Sequence, residues 1–173
     1  MTLVALSRER SWEFLAVMTE AWNWIQQRPR FYRQAGAQMT FYEFLQFSKA
    51  PNKKQIAVIA NDRMAALVTV WLMTDDVFDV HVIAPRKSRA DVLTNALLAV
   101  RNSIFDDLDA SVIRTSCGTY RGHKNKGIER ILIACGMTPT GEPWKAKGDN
   151  DSTFQEYEIT REKYAESKTS PNQ

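Results

Sequence analysis

The stretch NKGIERILIACGM, Asn125 to Met137, decides how this chain reads. Its Ile128, Ile131, Leu132 and Cys135 recur at helical spacing and share one stripe. Gly136 then stands where a helix would stop in a left-handed conformation. A helix that opens on Asn and closes on Gly-Met is therefore predicted.

The rest of the chain sets the context. At 173 residues, with 44% hydrophobic and 10% aromatic content, it is long enough for one domain with a real core. The net charge of +3 comes from 23 basic and 20 acidic residues mixed along the sequence, so neither nucleic acid nor a membrane surface is demanded as a partner. Cys117 and Cys135 show no CxxC pattern and no zinc-ligand spacing; both are predicted to be reduced, and no metal is expected. No apolar run approaches the ~20 residues that span a bilayer, and MTLVALSRERSW turns polar too soon for a signal peptide. The expectation is a soluble, cytoplasmic protein.

Outward from the quoted helix, the order of elements is informative. TLVALS is a strand candidate, followed by a helix from Arg8 to about Gln27 with Trp12, Leu15, Ala16, Trp22 and Ile25 near one side; Pro29 ends or bends it. MTFYEFLQFSKA is a short amphipathic helix with Phe41, Phe44 and Leu45 inward. QIAVIAND and MAALVTVWLMTDD are strands joined through NDR as a tight turn. VFDVHVIAP alternates Val77, Asp79 and His81 against Phe78, Val80 and Val82, and ends at Pro85. A helix from about Ala90 to Phe105 carries Val92, Leu93, Ala96, Leu97, Val100 and Ile104 at helical spacing, with Ser88 and Asp91 spaced as a capping box. ASVIRTSCG and STFQEYEIT are strands on either side of the Asn125 helix. These elements define one α/β domain over residues 1–160, built on a single mixed, mostly antiparallel sheet flanked by helices. Residues 161–173 read as a polar, frayed tail.

That order, with Gly136 and Met137 eleven and twelve positions after Asn125, resembles the GNAT (Gcn5-related) superfamily of acyl-CoA-dependent N-acetyltransferases over Leu3 to Ile159. The resemblance implies an acetyl-CoA or other acyl-CoA donor and an amine acceptor of unknown identity. It places Asn125 beside the pantetheine arm, Val82, Ile83 and Ala84 as backbone contacts to it, and Arg86, Lys87, Ser88 and Arg89 as the phosphate turn at the N-terminus of the following helix. The family's turn is glycine-rich, whereas PRKSRADV has no glycine, so three cations replace a close-fitting backbone.

Catalysis requires a base for the acceptor's ammonium and an acid for the departing thiolate. Asp79 and His81 share a strand face where relatives often carry a Glu, and imidazole titrates near neutrality. Both also fit a half-exposed polar sheet face. The Tyr that serves as acid in many relatives is replaced by Leu132; Tyr120 is the candidate substitute. His123 reads as a solvated turn residue, with a contact to substrate or phosphate as the alternative, and RPRFYRQ (Arg28 to Gln34) as packed aromatics among solvated arginines, with a substrate lip and single-strand stacking as alternatives. Two functions follow. One is a divergent N-acyltransferase. The other is a catalytically silent GNAT-fold protein, similar to GNAT-like proteins of tailed bacteriophages, with other virion proteins as partners and the particle as its location.

Overall fold

A computed structural model describes residues 1–7, 11–27, 39–85, 87–145 and 151–169. The RPRFYRQ stretch and Arg86 lie outside the described residues. The elements run β1 (Thr2–Ala5), α1 (Ser11–Gln27), α2 (Phe41–Ser48), β2 (Lys53–Ala60), β3 (Arg63–Leu72), β4 (Val77–Ile83), α3 (Ala90–Asp107), β5 (Val112–Tyr120), β6 (His123–Lys124), α4 (Lys126–Ala134), β7 (Thr138–Trp144), β8 (Ser152–Thr160) and α5 (Arg161–Thr169). The strands form one sheet in the order β1-β2-β3-β4-β5-β8-β7, with β6 against β5. β4 pairs with β5 in parallel, whereas β1–β2, β2–β3, β5–β6, β5–β8 and β7–β8 are antiparallel, so the predicted mixed, mostly antiparallel α/β sheet is what forms. Among the described residues no helix is long and apolar enough to cross a membrane.

The chain divides into two compact units, Met1–Trp71 with His81–Leu93, and Leu72–Val80 with Thr94–Gln173. In the first, Asn61 and Asp62 take φ of 51° and 57°, the paired left-handed conformation that a two-residue hairpin needs, and set Ala60 opposite Arg63. Its core is Phe14, Met18, Ala21, Trp24 and Ile25 of α1 with Phe44, Leu67 and Ile83. The inward stripe of α1 is rotated from the predicted one: of the five residues expected there, Ile25 is buried with its stripe, while Trp12 is 72% exposed. Several large apolar residues on both sides of this helix leave its period ambiguous, and packing against α2 selects the Phe14 side.

α2 carries the capping box that the sequence analysis placed at Ser88 and Asp91. The Glu43 N–H donates to Thr40 Oγ1 at 3.3 Å, and the Thr40 N–H donates to Glu43 Oε2 at 2.7 Å. At the start of α3 the Ser88 hydroxyl instead donates back to the Pro85 carbonyl at 2.9 Å, because the helix begins two residues later, at Ala90.

In the second unit, α4 opens on Asn125 and closes at Gly136, as predicted. Asn125 caps it, its Oδ1 accepting from the Ile128 N–H at 3.4 Å. At the other end Gly136 has φ +78°, its N–H donates to the Ile133 carbonyl at 2.9 Å, and the Met137 N–H donates to the Leu132 carbonyl at 3.0 Å. These two bonds are a Schellman stop, and they send Met137 inward before β7. Ile131, Leu132 and Cys135 are buried, as the stripe predicted.

The polar segment after Thr160 is no frayed tail up to Thr169. It forms α5, in which Tyr164 is buried, stacks on Phe105 at 4.6 Å and donates to Asp106 at 2.9 Å. Arg161 donates to the Ala110 and Phe105 carbonyls at 2.8 and 3.0 Å. One aromatic and one arginine outweigh an otherwise unfavourable composition, because both satisfy carbonyls or carboxylates at the end of α3.

Candidate active site

β4 positions the residues on which a site would turn. Alternation buries Phe78 and Val80, but at the end of the strand Ile83 is buried in place of the expected Val82; Asp79, His81 and Val82 are half-buried. The parallel ladder with β5 comprises Val77 opposite Val112, Phe78 opposite Ile113 and Asp79 opposite Arg114, although β4 runs on to Ile83.

Within the first unit, β4 leads through Ala84 and Pro85 to the predicted phosphate turn. Lys87 is exposed. Ser88 is half-buried and already occupied, its hydroxyl donating to Pro85 and its N–H reaching the same carbonyl at 3.2 Å. Arg89 is exposed and holds Asp91 through two bonds, Nε to Oδ1 at 3.1 Å and Nη2 to Oδ2 at 2.7 Å. The Arg89 guanidinium holds the Asp91 carboxyl below its ordinary range, and the N–H groups of Val92 and Asp91 add to that. The first turn of α3 thus carries its own anion. Of the expected phosphate contacts, Lys87 presents an exposed cation, and Arg89 does so once it releases Asp91.

His81 lies at one end of a polar row that sequence reasoning missed. Lys53 stands opposite Trp71, and Gln55 opposite Thr69, so these four share one face of β2 and β3. Lys53, Gln55, Thr69 and Ser48 are all buried. The Thr69 hydroxyl donates to Gln55 Oε1 at 2.7 Å, and Gln55 Nε2 donates to the Ser48 carbonyl at 3.3 Å. Lys53 Nζ sits 4.0 Å from the centre of the Trp71 ring, and that ring is 6.4 Å from the His81 ring. The signal was present: Lys53, Gln55 and Thr69 interrupt apolar strands on inward positions, where an unpaired polar group would be costly.

The second unit holds Asp79, Tyr120 and Asn125. Tyr120 ends β5 opposite His123, with the Arg121 guanidinium 5.4 Å from its ring centre. Asn125 is a helix cap whose carbonyl also accepts a weak bond from Cys117 Sγ at 3.7 Å. Burial pushes the Cys117 and Cys135 thiols up to about 11, so neither supplies a thiolate near neutrality. A second unforeseen cluster lies beside Asn125: the buried Tyr157 donates to Glu129 Oε1 at 2.8 Å, and Lys124 pairs with the same oxygen. Lys124 and Tyr157 hold the Glu129 carboxyl below its ordinary range, while burial raises the Tyr157 phenol. Leu132, which stands where an acid Tyr was sought, is 3% exposed and serves as core. Among the described residues no cluster of potential ligands could hold a metal ion.

No protein-family profile and no curated protein sequence matches this chain. Solved structures do. It is similar to the spermidine N-acetyltransferase of Vibrio cholerae in complex with CoA and spermine, at 12% identity and a TM-score of 0.71, over 95% of this chain and 97% of that one. It is also similar to the Campylobacter jejuni N-acetyltransferase PseH in complex with acetyl coenzyme A, at 12% identity and a TM-score of 0.60, over 92% and 99% of the two chains. A chimera of the Vibrio cholerae enzyme matches at 14% identity and a TM-score of 0.70, over 95% and 99%. The chain therefore has the fold of the GNAT acetyltransferases.

Proposed function

We propose that this chain is an acyl-CoA-dependent N-acyltransferase acting on an amine. The observation that carries the reading is His81: an ionisable side chain on the strand that leads to the helix turn, at the end of a buried polar row. The backbone of Val82, Ile83 and Ala84 holds the pantetheine arm of the donor, and Lys87 and Arg89 supply positive charge for its phosphates. His81 removes a proton from the acceptor's ammonium, so that the free amine attacks the thioester carbonyl. A C–N bond forms, the C–S bond breaks, and the thiolate leaves with its electron pair and is protonated from solvent. Polyamines are the first acceptors to try, because one of the similar enzymes was solved with spermine.

Release of CoA thiol from acetyl-CoA, followed with a panel of polyamines and simple amines, tests this. Wild type is expected to release thiol above the amine-free rate, and His81→Ala to lower kcat by about 100-fold while removing the acid limb of the pH profile. Unchanged kcat in His81→Ala would remove the base assignment.

One observation favours a second reading. The carboxylate of Asp91 already faces the amides of the first turn of α3, where the donor's diphosphate would sit. A chain that kept the fold and lost the donor, as a silent component of a tailed-phage particle, would carry such a residue without penalty.

A further inference from the structure

The acyltransferase reading leaves one group unused: the amine of Lys53. Only 4% of this residue is exposed, and its Nζ lies 2.8 Å from the centre of the Phe47 ring and 4.0 Å from that of Trp71. The two rings meet edge to face at 5.7 Å. Trp71 in turn contacts His81, so a chain of ring contacts links the amine to the proposed base. Burial pushes this ammonium down to about 8. At pH 7.5 about a quarter of such an amine is neutral and nucleophilic, against about a thousandth of an ordinary lysine. The amide formed by acylation carries no charge to bury, whereas the ring pair still covers its stem and carbonyl.

We propose that Lys53 is an internal acyl acceptor, its ε-amine taking the acyl group from a CoA thioester to leave an acyl-lysine between Phe47 and Trp71. The proposal rests on the acyltransferase reading. The neutral Nζ attacks the thioester carbonyl, an N–C bond forms, and the C–S bond breaks. His81 receives the proton lost by nitrogen, and the thiolate leaves as CoA and is protonated from solvent. The long flexible stem of lysine lets the amine leave the ring pair to meet the donor and return as the amide. Acylation then removes the Lys53 charge from this row, so the modified and unmodified chains differ in the charge they present to an amine acceptor.

The folded chain is incubated with acetyl-CoA, and acetylation of each lysine is followed by peptide mass spectrometry, with CoA binding measured on the same preparation. Lys54, exposed and adjacent, is the internal control. Lys53 is expected to acetylate at least ten times faster than Lys54, with a rate that rises to half its maximum near pH 8. The preference is expected to vanish in urea, and Lys53 labelling to fall at least tenfold in His81→Ala while Lys54 is unaffected. Lys53→Met should lose the fast phase and stay folded. Equal labelling of Lys53 and Lys54, or CoA binding with Lys53 unmodified, would overturn the internal acceptor and leave the acyltransferase reading standing. Absence of CoA binding would overturn the reading beneath it. Rapid Lys53 labelling that a small activated acetyl ester reproduces in His81→Ala would also overturn the proposal, since it would show an unaided reactive amine.

Discussion

Gly136→Ala is expected to destabilise the chain by about 2–3 kcal/mol, measured as a shift of the denaturant midpoint at constant slope. Two costs add. At φ +78° an L-residue loses about 1–2 kcal/mol relative to glycine. The added Cβ would also stand 3.2 Å from Ile159 Cδ1 and 3.5 Å from Arg101 Nη1. The Arg101 distance is an ordinary contact, but Ile159 is buried in β8 and has to give by a few tenths of an ångström. Gly122→Ala separates the two costs. Its φ is +77°, but nothing lies within 4 Å of its would-be Cβ. It should lose only the conformational part, about 1 kcal/mol. Equal losses in the two variants would show that the contact with Ile159 relaxes, and a neutral Gly136→Ala would refute the left-handed stop.

Lys53→Met is expected to do the opposite and stabilise the chain at pH 7 by about 1–3 kcal/mol. Methionine keeps a long apolar stem between Phe47 and Trp71 and removes a charge that burial disfavours. The contact of the ammonium with the two rings offsets part of that gain, which keeps it below the full cost of the shift. The pH dependence gives the sign independently. The folded amine titrates near 8, below the ordinary 10.5, so between those values the unfolded chain binds more protons and wild-type stability rises with pH. Below pH 8 the penalty is present in full; above 10.5 both states are neutral and it is gone. The advantage of Lys53→Met over wild type should therefore shrink from pH 8 to 10.5, as seen in paired urea melts. An advantage that does not change across that window would show that the Lys53 amine titrates normally in the folded chain.

The sequence reading went furthest where local chemistry and tertiary packing agree. Asn125 and Gly136 mark the ends of α4 by capping rules that need no distant partner, and the period-2 alternation of β4 holds as far as Val80, where Phe78 and Val80 share a buried face. It fell short where a distant partner decides. α1 offers apolar residues on more than one side, and Phe44 of α2 helps to choose between them. α5 scores poorly by composition and is held through Tyr164 and Arg161 to the end of α3. Ser88 and Asp91 have the spacing of a capping box, yet Asp91 has a better partner in Arg89. The polar row at Lys53, Gln55 and Thr69 went unread for a related reason: each residue looks like an ordinary strand interruption until strand pairing sets them side by side.

On the acyltransferase reading, the turn after β4 receives the diphosphate of a CoA donor once Arg89 releases Asp91. An exposed ion pair of this kind is screened by solvent and weak, so the ligand can displace it. Isothermal titration of the folded chain with acetyl-CoA tests this most directly. Micromolar binding is expected, about fivefold tighter in Asp91→Asn, where an anion competing for the helix end is gone, and about fivefold weaker in Arg89→Ala. No heat at millimolar acetyl-CoA in either wild type or Asp91→Asn would contradict it and leave a fold without its donor.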